Sequence, residues 1–92
     1  MNEKHRVHAV FSGSVQGVGF RFTAEEIAIH FGVSGFVRNM YDGNVEVVAE
    51  GKKRQLEDFL EEIKTRMRGY ISDSRIDWSP PSGEFSTFGI RF

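Results

Sequence analysis

The chain contains no cysteine, which excludes disulfides, thiolate nucleophiles and cysteine-based metal sites together and fits a reducing compartment. It also lacks any apolar run approaching the length of a membrane-spanning helix, and its opening residues, Met1 to Arg6, are polar rather than a charged segment feeding a hydrophobic signal region. A soluble, cytoplasmic protein with no membrane partner is expected. Charge of one sign is missing as well: the formal net charge is −1, with Lys and Arg scattered apart from Lys52 to Arg54 and Arg66 to Arg68. Nucleic-acid binders usually need a strong basic field to release counterions from the phosphate backbone, so nucleic acid is not expected as a partner. A small anion needs only a local positive site.

The chemistry-bearing side chains are sparse. His5, His8 and His30 have no metal-ligand spacing with a partner and read as surface or sheet-face histidines. Glu25, Glu26, Glu57, Asp58, Glu61 and Glu62 fall on polar helix faces, where solvated or i,i+4 paired charges are the default, and no carboxylate dyad emerges. A Walker loop is excluded because no Gly-Lys-Ser/Thr run occurs, and the dinucleotide fingerprint fails because Phe22 stands where its third glycine belongs.

What is present suffices for one compact domain over residues 1–92. The chain is 39% hydrophobic and carries nine phenylalanines and one tryptophan, large apolar faces that let a short chain bury enough surface to fold. Residues 5 to 13 alternate as a half-buried strand, with Val7, Ala9 and Phe11 on one face. A helix follows a glycine-rich stretch: Thr23 and Glu26 have capping-box spacing, Ala24, Ile27, Ala28 and Phe31 form an apolar stripe, and Gly32 closes it. Residues 34 to 40 and 44 to 50 read as strands of a hairpin turned at Asp42-Gly43, with Val45, Val47 and Ala49 facing the core. A second helix is predicted from about Lys52 to Arg68 on the stripe Leu56, Phe59, Leu60, Ile63 and Met67, stopped by Gly69. Two strands complete the chain, one near 71 to 79 and one at 85 to 92, separated by Pro80, Pro81 and Gly83. The order is βαββαβ plus an extra C-terminal strand, an α+β ferredoxin-like sandwich in which an antiparallel sheet carries two helices on one face.

Between the first strand and first helix lies Gly13-Ser14-Val15-Gln16-Gly17-Val18-Gly19-Phe20-Arg21. Unpaired N–H groups at a helix start, the positive end of the helix dipole and glycines that let the backbone curl make such a place electropositive. Arg21 adds a planar fork matching two phosphate oxygens. Two readings stand on these residues alone: an oxyanion cradle, or glycines serving a tight turn beside a solvated arginine. Asn39 is similarly open, as a turn former or a functional amide near the hairpin.

The stretch Ser12 to Arg21, then Gly32-Val33-Ser34-Gly35-Phe36-Val37-Arg38-Asn39, then Asp42-Gly43-Asn44-Val45-Glu46, resembles the acylphosphatase signature in order and spacing, and the likeness covers essentially the whole chain. The resemblance implies a metal-free and cofactor-free enzyme that hydrolyses small acyl phosphates, carboxyl-phosphate mixed anhydrides, and a monomer is expected. It implies that the amides of Val15, Gln16, Gly17, Val18, Gly19, Phe20 and Arg21, with the Arg21 guanidinium, bind the phosphoryl group. It further implies that Asn39 orients a water for in-line attack on phosphorus. The chain departs from the family pattern at Met40, where a small hydroxyl residue is common, and at Gly69-Tyr70, where Gly-Pro is common; Phe36 replaces a frequent tryptophan. Reduced activity is expected from Met40, through its effect on how water or Asn39 is held. Two rivals are an RNA-binding module, from a faint likeness of Gly17 to Phe22 to an RNP1 element, and a carbamoyl-phosphate-handling module of the kind fused to hydrogenase-maturation proteins. The stretch precedes a helix rather than forming a third strand, and an autonomous enzyme is expected rather than a module of a larger protein.

Overall fold

The computed structural model describes residues 3–92. The elements are β1 (Lys4–Gly13), α1 (Phe20–Phe31), β2 (Ser34–Asn39), β3 (Val45–Lys52), α2 (Lys53–Arg66), β4 (Ile71–Ser79) and β5 (Phe88–Arg91). The period-two pattern of β1 does what it dictates: Val7, Ala9 and Phe11 are fully buried under the helices while His8, Val10 and Ser12 turn to the open face. Val45, Val47 and Ala49 of β3 are likewise fully buried. From the other side, Phe20, Ala24, Ile27 and Ala28 of α1 and Leu56, Phe59, Leu60 and Ile63 of α2 close the core. Each large side chain buried this way contributes about 1.5–3 kcal/mol.

The sheet runs β4-β1-β3-β2-β5. β3 pairs antiparallel with both β1 and β2, so β1 and β2 run parallel with β3 inserted between them, the split βαβ arrangement of the ferredoxin-like α+β fold. β4 is antiparallel to β1, whereas the extra strand β5 lies parallel to β2 and makes the sheet mixed. The rings of Phe11 and Phe20 meet at 5.3 Å between centroids, joining the end of β1 to the first turn of α1 and fixing both ends of the intervening loop.

Three boundaries differ from the sequence pattern. α1 begins at Phe20, so Thr23 is an interior residue whose N–H donates to Gly19 O (3.0 Å) rather than an N-cap with Glu26. Gly19 takes that place in the left-handed conformation (φ 79°) without any side-chain cap. α2 ends at Arg66, and the chain leaves it through Met67, whose carbonyl accepts the N–H groups of Tyr70 and Ile71; Gly69 is not its stop. The last strand is shorter than its alternation, beginning at Phe88, because residues 80–87 form a loop folded against the sheet.

That loop is held by Glu50, only 5% exposed on β3. Its carboxylate accepts from the Ser82 N–H (2.9 Å) and hydroxyl (2.7 Å), the Gly83 N–H (3.0 Å) and the Arg6 guanidinium (2.7 Å). Burial pushes the Glu50 pKa up, but these donors outweigh it and hold the group at about 2, against an ordinary 4.5. A depressed folded-state pKa means stability that is complete above 4.5 and lost as pH falls toward 2. Wild-type unfolding free energy is therefore expected to decline through that window in a urea titration series. Glu50→Gln is expected to flatten the decline and to cost on the order of 2 kcal/mol at neutral pH; an unchanged acid limb would show that the network contributes nothing.

Candidate active site

One end of the sheet gathers the residues singled out by the loop motif. In register, Phe11 of β1 and Asn39 of β2 both face Val45 of β3, so the exit of β1 and the end of β2 lie at the same level on either side of one strand. Asn39 shares the face of buried Val37, the face packed by the helices, where α1 begins. The loop between Gly13 and α1 therefore rises beside Asn39.

Local forces shape this loop. Its start is clamped: Ser14 N–H donates to Tyr70 O (2.9 Å), and a Cβ on Gly13 would stand 2.4 Å from that same oxygen, so no side chain fits there. Its middle is turned by Gly17 (φ 75°) and Gly19 (φ 79°), where a Cβ would meet nothing within 4 Å. Glycine is required at these two positions by the left-handed backbone and not by crowding. Among the described residues, no main-chain N–H from Val15 to Phe22 donates to a protein acceptor; the first helical bond is the one from Thr23. These free donors run into the positive end of the α1 dipole, and the first turn of α1 carries no acidic residue to neutralise it.

Arg21 sits in that first turn, half-buried, and enters none of the ion pairs found among the described residues. Its guanidinium carbon lies 4.9 Å from the centre of the Phe92 ring, a cation–π contact. β5 runs parallel to β2 with Arg91 beside Arg38, so Phe92 follows alongside Asn39. Gln16 reaches across to the hairpin, its Nε2 donating to Met40 O (2.8 Å) and Asn44 O (2.9 Å). The structure thus brings Arg21, Asn39 and the loop from Val15 to Phe20 to one end of the molecule.

The histidines lie elsewhere. His8 Nε2 meets Glu46 Oε2 at 2.7 Å on the open face, with Arg38 Nε on the other carboxylate oxygen. Burial raises the Glu46 pKa, and the His8 and Arg38 hydrogen bonds more than reverse it, leaving it below the ordinary range. Among the described residues, no three His, Asp or Glu side chains gather as metal ligands would. Two features were not visible in the motif: the direction of the Gln16 side chain, and the Phe92 ring under Arg21. For Gln16 the only available signal was its place inside the loop motif.

The acylphosphatase family model matches residues 7–90, nearly the whole described chain. The chain belongs to the acylphosphatase family. A curated acylphosphatase from Synechococcus is 41% identical over 91 residues, covering 99% of this chain and 97% of that one. The crystal structure of the Bacillus subtilis acylphosphatase superposes with a TM-score of 0.87 at 29% identity, covering 96% of this chain and 99% of its own. Full-length HypF, in a phosphate- and nucleotide-bound crystal form, contains a stretch that superposes with a TM-score of 0.91 at 26% identity. It covers 100% of this chain but only 12% of HypF. As an acylphosphatase, the protein is a hydrolase that cleaves acyl phosphates to carboxylate and inorganic phosphate.

Proposed function

We propose that the main-chain N–H groups from Val15 to Arg21 and the Arg21 guanidinium hold the phosphoryl group of the acyl phosphate, and that Asn39 orients the attacking water. The observation that carries this is the row of N–H groups leading into α1 that are uncommitted among the described residues, at the same sheet end as Asn39 and beside an arginine that pairs with no carboxylate of those residues.

The chemistry asks little covalent work of the chain. Water oxygen attacks phosphorus, the bond between phosphorus and the acyl oxygen breaks, and the carboxylate leaves with the bonding electron pair. A carboxylate is a weak base, so no general acid is needed, and a phosphate oxygen takes the proton of the water. What remains is positioning and neutralising charge on the equatorial oxygens, which fixed amides and a guanidinium supply. On this proposal the reaction is also independent of metal, since Arg21 and the loop amides carry the whole electrostatic load. Protein treated with EDTA is expected to hydrolyse acetyl phosphate and benzoyl phosphate at an unchanged rate, with inorganic phosphate inhibiting competitively. Loss of turnover that a divalent ion restores would overturn the metal-free mechanism.

A further inference from the structure

We propose that Gln16 is a positioning residue whose side chain sets Asn39 in place relative to the phosphate loop. The inference rests on Asn39 being the residue that orients water, and adds the device that keeps it in register with the bound phosphate.

The β2–β3 hairpin and the Gly13-to-Phe20 loop are separate segments, and among the described residues no main-chain hydrogen bond joins them. Gln16 joins them. Its single amide nitrogen uses both protons, one on Met40 O at 2.8 Å and one on Asn44 O at 2.9 Å. Those carbonyls stand on opposite sides of the hairpin: Met40 follows Asn39 directly, and Asn44 precedes Val45, the register partner of Asn39. Asn44 O also accepts the Met40 N–H at 2.8 Å, so one amide group ties both strands where Asn39 leaves the sheet. Only the nitrogen end of the amide can face two carbonyl oxygens, which fixes the orientation of the group. Gln16 is part-buried, so water competes weakly for these bonds.

The tie is made by a side chain, and this matters for the reaction. A main-chain bridge from the loop would consume the very N–H groups that remain free for phosphate. Gln16 holds the hairpin through its side chain, and its own N–H is uncommitted among the described residues. A positional error near 1 Å at a reacting group costs roughly a hundredfold in rate, so a latch of this kind is expected to appear in turnover rather than in substrate affinity.

The test is a double-mutant cycle on steady-state benzoyl phosphate hydrolysis. Gln16→Glu keeps the length but removes the donor, and Gln16→Met keeps the length without polarity. Each is measured alone and with Asn39→Ala, alongside a thermal melt. Alone, each is expected to lower kcat roughly ten- to hundredfold, and Gln16→Met, which brings no charge toward the anion, to change the inhibition constant of inorganic phosphate less than about threefold. In the Asn39→Ala background Gln16→Met is expected to alter kcat less than about twofold. Unchanged kcat in the folded Gln16 variants, or a full multiplicative loss from Gln16→Met on top of Asn39→Ala, would overturn the latch. Wild-type turnover in Asn39→Ala alone would instead overturn the role of Asn39, a distinct outcome. A third readout needs no variant: in the wild-type NMR spectrum the Gln16 side-chain NH2 protons are expected to be separated and slow to exchange with water. Rapid exchange would show that the two bonds do not persist.

Discussion

Arg21→Ala is expected to lower kcat/KM for an acyl phosphate by on the order of a thousandfold and to weaken inhibition by inorganic phosphate in parallel. The guanidinium is a full positive charge in the helical turn that follows the free N–H groups of the loop, and no carboxylate among the described residues pairs with it. On the proposed role its removal takes away charge that would face the phosphate in the ground state and more strongly in the transition state, so both affinity and rate are expected to fall. Arg21→Lys is expected to recover only part of the loss. An ammonium keeps the charge but cannot form the parallel pair of bonds, and it stacks less well on the Phe92 ring that the guanidinium faces at 4.9 Å. The comparison is made by steady-state kinetics with phosphate as competitor. Wild-type affinity for phosphate in Arg21→Ala would remove Arg21 from the site.

The second large effect is expected at Asn39. Truncation to alanine is expected to lower kcat by on the order of a hundred- to a thousandfold while leaving phosphate inhibition within about threefold of wild type. The distinction follows from placement: Asn39 lies on the strand end beside the loop, one strand removed from Phe11, and the N–H groups proposed to meet the anion belong to the other segment. An amide side chain can both donate and accept, which suits it to hold a water between itself and phosphate. Asn39→Asp tests the chemistry further. A carboxylate there still accepts from water but repels the incoming dianion, so it is expected to raise KM where alanine does not. An Asn39→Ala protein that loses affinity as much as rate would place Asn39 among the phosphate ligands instead.

Much of this architecture was legible because burial on one face leaves a period in the sequence. Val7, Ala9 and Phe11 announced β1, and Leu56, Phe59, Leu60 and Ile63 announced α2. The Asp42-Gly43 turn was also readable, and Asp42 Oδ1 accepts the Asn44 N–H there. The start of α1 was not, because Thr23 and Glu26 have the spacing of a capping box while the actual cap, Gly19, acts only through its backbone and leaves no side-chain signal. The parallel seat of β5 depends on partners distant in sequence. So does Glu50, an acid on a strand whose donors stand at Ser82 and Gly83 and which no local pattern could mark as buried. For the proposed site, the motif pointed to the loop, Arg21 and Asn39, and their common position at one sheet end came from strand register. The departure at Met40 takes a specific form: its N–H and carbonyl are both engaged, with Asn44 and with Gln16, so the main chain beside Asn39 is held without a hydroxyl at that position.

Whether the loop amides and Arg21 grip the anion is decided by an amide NMR titration of the wild-type protein with inorganic phosphate. The largest saturable shifts are expected at the N–H signals of Val15 to Arg21 and at Arg21 Nε, and Arg21→Ala is expected to abolish them. Shifts that saturate instead in the polar groove between α2 and β4, around Lys64, Arg68 and Ser72, with the loop signals unmoved, would contradict that grip.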